Sequence, residues 1–278
     1  MNSAAILQQL ERLTPGAPRA ALEAAMKQKE TLTPELMAVL ARVTGNMATV
    51  VEDPGFVLHL HALFLLAQFR ERTALQPALR FFARLSDAAD VADDEVVYVL
   101  DESGARILAS LSHGEMEPLL QVAEDEDLND YLRSISLDAI ALMAAWGQMT
   151  REKAIAGYRE MFHSRLARPG NSLVWFSLVS AALDINAQEL LPEIREAFQA
   201  GLVEEVDITL DFVKDGFAER GAALTRELAR EKPPISNAID EFEGWLRFRR
   251  RIRNYNIPVL LDSTVKLSFE PGQNPPNN

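Results

Sequence analysis

The sequence has no cysteine, four histidines and three tryptophans among 278 residues. Without thiols there can be no disulfide, thiolate zinc site, iron–sulfur cluster or cysteine nucleophile, so packing alone must hold the fold, a composition that fits a reducing compartment. Long apolar runs are missing too. The most hydrophobic stretch, Phe56 to Phe69, is interrupted by His59, His61 and Gln68 and falls short of the ~20 residues a bilayer-spanning helix needs. Met1 to Leu13 has no basic start followed by an apolar run and meets an acid at Glu11, so it does not read as a signal peptide. These features predict a cytoplasmic chain with no membrane span. Positive charge is the other scarcity: 28 Lys+Arg against 41 Asp+Glu leave a net charge of -13. That balance opposes general attraction to phosphate backbones or anionic lipid, and makes nucleic acid the disfavoured partner.

What the chain does have is helix-forming composition. It is 48% hydrophobic and 25% charged, rich in Ala, Leu, Glu and Arg, and shows no long alternation of period two before its C-terminal tail, which predicts an all-α fold. Pro18 and Pro34 stand where a first-turn proline loses no hydrogen bond, so each is expected to open a helix, giving three helices over roughly residues 3 to 45. Phe56–Phe69 and Leu173–Leu183 are apolar on nearly every face and are expected to be central, covered on both sides.

Spacing carries more information. Apolar helices are expected to begin near Val57, Val96, Ile135 and Val174, about 39 residues apart, each followed by an amphipathic helix near Leu75, Glu115, Arg151 and Gln188. Pro77, Pro118 and Pro192 fall in the first turns of three of the second helices. A proline-led helix (Glu117-Pro118-Leu119-Leu120), an acidic turn (Glu124 to Asp127) and then Arg133 opening an apolar helix resemble a HEAT repeat. The expectation is a HEAT/ARM-like α-solenoid of stacked antiparallel helix pairs over 1–231. A C-terminal helix over 232–255, capped by Ser236 and basic at its end, follows, and then an extended or disordered tail over 256–278. The acidic turns, Ser86 to Glu95 and Glu124 to Asp130, are expected to be solvated edges.

The strings Phe56 to Arg70, Arg106 to Ser110, Leu173 to Ala181 and Pro192 to Phe198 resemble the bacterial family catalogued as domain of unknown function 1186, over roughly residues 4 to 215. The resemblance implies no particular activity. Some members of that family add a Cys-rich zinc module, and this chain, without cysteine, departs from them.

Candidate site residues are few. His59 and His61 stand two apart on a helix and point about 200° from each other, so they cannot share a metal. His59, on an apolar helix, needs a hydrogen-bond partner if buried. No phosphate loop, nucleophile elbow or His-Glu-x-x-His string occurs, so no catalytic residue, cofactor or metal ligand is assigned. Trp146, Trp175 and Trp245 each suit either a groove floor or the core. The one local charge anomaly, Trp245 to Tyr255, holds Arg247, Arg249, Arg250, Arg251 and Arg253 with no acid. It follows Asp240, Glu241 and Glu243 in the order the helix dipole favours. Packing against an acidic body, a solvated helix end, an acidic protein partner, a second subunit and a stacked single strand all remain open for it.

The first functional reading is a non-catalytic scaffold that binds an unidentified protein partner through a solenoid face, using residues such as His59, Trp175 and the arginine run. A helical-repeat protein holding nucleic acid or a small ligand in an aromatic and arginine groove is the second. An enzyme without a recognisable motif is the third.

Overall fold

A computed structural model describes residues 1–88, 103–166, 172–204 and 208–255, with the backbone alone for 172 and 251–255. The expected helix start near Val96, the acidic turn beyond Ala88, the tail over 256–278 and the side chains of Arg251 and Arg253 lie outside the described residues.

Among the described residues the regular elements are helices: α1 (Ser3–Glu11), α2 (Arg19–Lys27), α3 (Lys29–Gly45), α4 (Ala48–Val51), α5 (Leu58–Phe69), α6 (Leu75–Asp87), α7 (Ala105–Ser112), α8 (Glu117–Glu124), α9 (Asp130–Ala145), α10 (Arg151–Glu160), α11 (Ser172–Asp184), α12 (Leu191–Gln199), α13 (Leu210–Asp215), α14 (Ala222–Glu231) and α15 (Ala238–Tyr255). Among the described residues there is no strand, only one isolated bridge between Arg12 and Phe56. None of the helices is long and apolar enough to cross a membrane.

The helix starts follow local chemistry. Asn2, Asn129, Thr150 and Thr209 each accept a backbone N–H of the first turn through the side-chain oxygen, satisfying donors that otherwise have no partner. Pro118 and Pro192 sit in the first turns of α8 and α12, as expected. Pro34 behaves differently from expectation. It lies inside α3, which begins five residues earlier at Lys29, and the Thr33 hydroxyl donates to the Lys29 carbonyl at 2.8 Å. Ser236 does not cap the last helix either. Asn237 accepts from Ile239 N–H at 3.1 Å, and Ala238 N–H donates to the Gln68 side chain of α5 at 2.8 Å.

α5 is buried on all faces from Leu58 to Ala67, and packs against α3, α7 and α15. α9 is the second centre, in contact with α7, α8, α10, α11 and α14. Between α8 and α9 the buried Arg133 donates to the Ala123 carbonyl at 3.0 Å and to Asp130 at 2.9 Å, which ties the acidic turn to the helix after it. The last helices return to the centre: α14 packs on α9 and α11, and α15 on α5 and α2. Ile239, Phe242, Trp245 and Leu246 of α15 join the same core as Leu63 and Phe64.

Candidate functional site

Three central helices, α5, α7 and α9, end beside one another, and the residues that close them line a cavity of about 420 Å³. Its lining is Arg70, Ser110, His113, Trp146, Gln148 and Pro234. Arg70 and His113 close α5 and α7 in the left-handed conformation, with φ of 55° and 52°. Glycine takes this conformation at helix ends without cost, whereas a side chain there is strained by about 1 kcal/mol. The two strained residues are joined, since the His113 Nε2 atom lies 2.7 Å from the Arg70 carbonyl oxygen. Next to them Gly114 has φ +80°, and a Cβ at that position would stand 2.3 Å from the Gln148 carbonyl. Only glycine lets the turn after α7 approach the turn after α9 so closely.

The side chains are arranged around the Arg70 guanidinium. It lies over the Trp146 ring, 6.0 Å from the centroid. Gln148, with its amide oriented to satisfy both neighbours, accepts from Arg70 Nη1 and donates to the Ala109 carbonyl, each at 3.0 Å. The Trp146 indole N–H is occupied, donating to the Lys232 carbonyl at 2.9 Å, so the chain between α14 and α15 is pinned to the pocket and Pro234 forms its outer wall. Arg70 is half-buried and forms no ion pair among the described residues. Burial lowers its pKa from the ordinary value. Arg106, Arg133, Arg151, Arg159 and Arg165 all hold acids. Arg42, Arg80, Arg84, Arg195 and Arg226 form no ion pair among these residues but are exposed.

Ser110 supplies a second loose end. It is 1% exposed and its Oγ has no hydrogen-bond partner. Ser86, Ser112 and Ser136, also buried in helices, each donate to the carbonyl four residues back at 2.7 to 2.8 Å. Ser110 does not follow them, and an unpartnered buried hydroxyl costs about 1–3 kcal/mol.

Of the residues singled out from the sequence, Trp146 lines this pocket, and His59, His61, Trp175, Arg247, Arg249 and Arg250 are not among its lining residues. His59 is 2% exposed, between the Phe56 and Phe81 rings at centroid distances of 5.7 Å. His61 lies 3.9 Å from the Phe242 ring. The two point to different neighbours, and no ring nitrogen of either has a partner. Burial pushes both pKa values down to about 3, so both rings are neutral. Trp175 is 1% exposed and packs near Phe162. The His59 and Trp175 side chains are therefore both buried inside the fold and not presented at its surface. The arginine run divides. Arg249 is 5% exposed, with its guanidinium 5.5 Å from the Trp245 ring centroid. Arg247 and Arg250 are exposed.

Two further groups escaped sequence reading. Asp138 of α9 and Asp184 of α11 are half-buried carboxyls on neighbouring helices. Burial raises Asp138 to about 6; burial and then the Asp138 charge raise Asp184 to about 7, with Lys232 opposing in both cases. The Tyr158 hydroxyl near them is buried and donates to the Leu137 carbonyl at 2.9 Å. Among the described residues no three acidic or histidine side chains stand together as metal ligands would.

A helical chain with this architecture belongs to the family described as protein of unknown function (DUF1186), whose model matches residues 1–249. The match reaches past residue 215, where the sequence strings leave off, and takes in α14 and most of α15. Two chlamydial proteins are similar over most of their length. An uncharacterized protein of Chlamydia trachomatis is 29% identical over 231 residues, 82% of this chain and 90% of its own. One of Chlamydia muridarum is 29% identical over 232 residues, with the same coverage. No solved structure matches the chain.

Proposed function

We propose that this chain is a non-catalytic binding module of the cytoplasm, a HEAT-like stack of helix pairs that receives a ligand, or a group carried by a protein partner, in the pocket between Arg70 and Trp146. The observation that carries the reading is Arg70 itself: a half-buried cation without an acid among the described residues, held in a strained left-handed conformation beside an unpartnered buried serine. Strain and an unpaired polar group brought together at one place are features that binding sites keep and stable cores lose. Catalysis has less support, because the lining offers no paired nucleophile and base: His113 Nε2 is engaged by the Arg70 carbonyl, and Ser110 has no partner.

Fragment crystallography tests this reading. A chemically mixed set of small acids, bases and neutral aromatics should occupy the cavity lined by Ser110, Trp146 and Pro234 more often than any other place. An empty cavity, with fragments seated elsewhere, would contradict it.

A further inference from the structure

Resting on that reading of the pocket, we infer that its occupant is a carboxylate: a small organic acid, or an acidic group at the end of a partner, whose anion meets Arg70 and whose flat apolar part lies against Trp146 and Pro234. Among the described residues the pocket lining contains one permanently charged side chain, Arg70, and no acid. A half-buried guanidinium without a counter-ion gains most from a group that brings one negative charge and two acceptor oxygens, since the guanidinium fork matches a carboxylate in plane. Ser110 adds a hydroxyl donor that nothing in the protein uses.

The helix ends around the pocket must be weighed against this assignment, because three helix C-termini carry partial negative charge. Their last carbonyls are largely taken up. Arg70 and Glu71 N–H groups bond to the Ala67 and Leu66 carbonyls, Glu115 N–H to Ser112, and Trp146, Gly147 and Gln148 N–H groups to Leu142, Ala144 and Met143. Two lysines offset the remainder, Lys29 donating to the Phe69 carbonyl at 2.7 Å and Lys153 to the Gly114 carbonyl at 3.1 Å. The Arg70 charge is thus left for the ligand, and it is a single charge. A phosphate dianion would bring a second negative charge into a protein already at -13, with no second permanent cation among the described lining residues to meet it. The Trp146 face and Pro234 provide the apolar part of the site, and the indole N–H, held by the Lys232 carbonyl, does not compete for the anion.

Fluorine NMR with three probes of one shape tests the assignment: 4-fluorobenzoate, the neutral 4-fluorobenzamide and 4-fluorophenyl phosphate, each titrated into the full chain to about 5 mM. The expected result is saturable binding of the benzoate, with the amide and the phosphate at least about tenfold weaker. Arg70→Gly should weaken benzoate about tenfold or more while the melting temperature stays within about 2 °C, because glycine suits the left-handed position. Ser110→Ala should weaken it several-fold. Equal binding of benzoate and benzamide, or benzoate binding unchanged in Arg70→Gly, would overturn the carboxylate assignment and leave the pocket as a binding site. Tighter binding of the phosphate would replace the carboxylate with a dianion. If no probe binds, the carboxylate inference fails, and the broader reading fails with it only if the fragment crystals are also empty. Should Arg70→Gly not fold, the benzoate and benzamide comparison on the native protein and on Ser110→Ala decides.

Discussion

Arg106 of α7 holds Glu241 of α15 through two hydrogen bonds, of 2.6 and 2.8 Å, and donates a third, of 2.8 Å, to the Pro233 carbonyl. Both side chains are mostly buried, 13% and 15% exposed, so the pair is screened less than a surface ion pair and its loss leaves an uncompensated charge. It fastens the last helix to the centre of the fold and sets Pro233, and with it the Pro234 wall of the pocket. Arg106→Ala should lower stability by about 2 kcal/mol, read from the urea midpoint. Glu241→Gln, which keeps an acceptor, should cost about half as much.

Gly114 makes a sharper demand. At φ +80° with 2.3 Å between its absent Cβ and the Gln148 carbonyl, Gly114→Ala should destabilise by about 2 kcal/mol or more. Gly147, at φ +70° but with open space around it, should lose only about 1 kcal/mol on the same change. Thermal unfolding of the two variants side by side checks the difference.

The pH dependence has two opposing sources. Asp138 and Asp184, raised to about 6 and about 7, are held above their unfolded pKa values, so charging them costs stability above the folded values and that cost disappears as pH falls through them. His59 and His61, lowered to about 3, act in the other direction: their contribution is full above pH ~6.5 and is lost as pH falls below it. Between pH 8 and 5 the two effects should therefore nearly cancel, leaving a net change of only a few tenths of a kcal/mol, about 0.3 or less in either half of the range. Asp184→Asn should stabilise by about 1–2 kcal/mol at pH 8, less than the full shift because part of the side chain meets solvent, and should turn the near-balance into a fall in stability on acidification. His61→Leu should expose the carboxyl effect as a gain in stability from pH 6.5 to 5. Melting temperatures across that range would show both.

In the arginine run burial decides which charge matters. Arg249, packed over Trp245, should cost about 2–3 kcal/mol when changed to Glu, because a carboxylate would be buried against an aromatic face. Exposed Arg250→Glu should cost less than about 0.5 kcal/mol. Equal losses in urea unfolding would show that the helix end responds to net charge alone.

Much of the fold was legible in the sequence, and the reasons are local. The all-round apolar character of Phe56 to Phe69 marked a central helix, and Pro118 and Pro192 marked helix starts, because both signals depend on a few neighbouring residues. Pro34 misled because a proline within the first two turns of a helix that has already begun costs little more than the one hydrogen bond it cannot donate. Ser236 misled because the start of α15 is decided by Asn237 and by Gln68, 170 residues away. The candidate pocket was hidden for the same reason. Arg70 and Ser110 fall in strings already noted for their family likeness, but nothing local says that Arg70 lacks an acid, that Ser110 lacks an acceptor, or that Trp146 and Pro234 stand opposite them. The one local hint is an arginine, where glycine is common, directly after an apolar helix.

The Trp146 indole N–H resonance provides the most direct test of the pocket as an anion site. The protein has three tryptophans, so an ¹⁵N–¹H correlation spectrum shows three indole peaks, and Trp146→Phe identifies the one at the pocket. Titration with benzoate should move that peak saturably, leave the Trp175 and Trp245 peaks in place, and have no effect in Arg70→Gly. A Trp146 peak that stays still, or three peaks that drift together in the Arg70→Gly variant as in the native protein, would contradict the account.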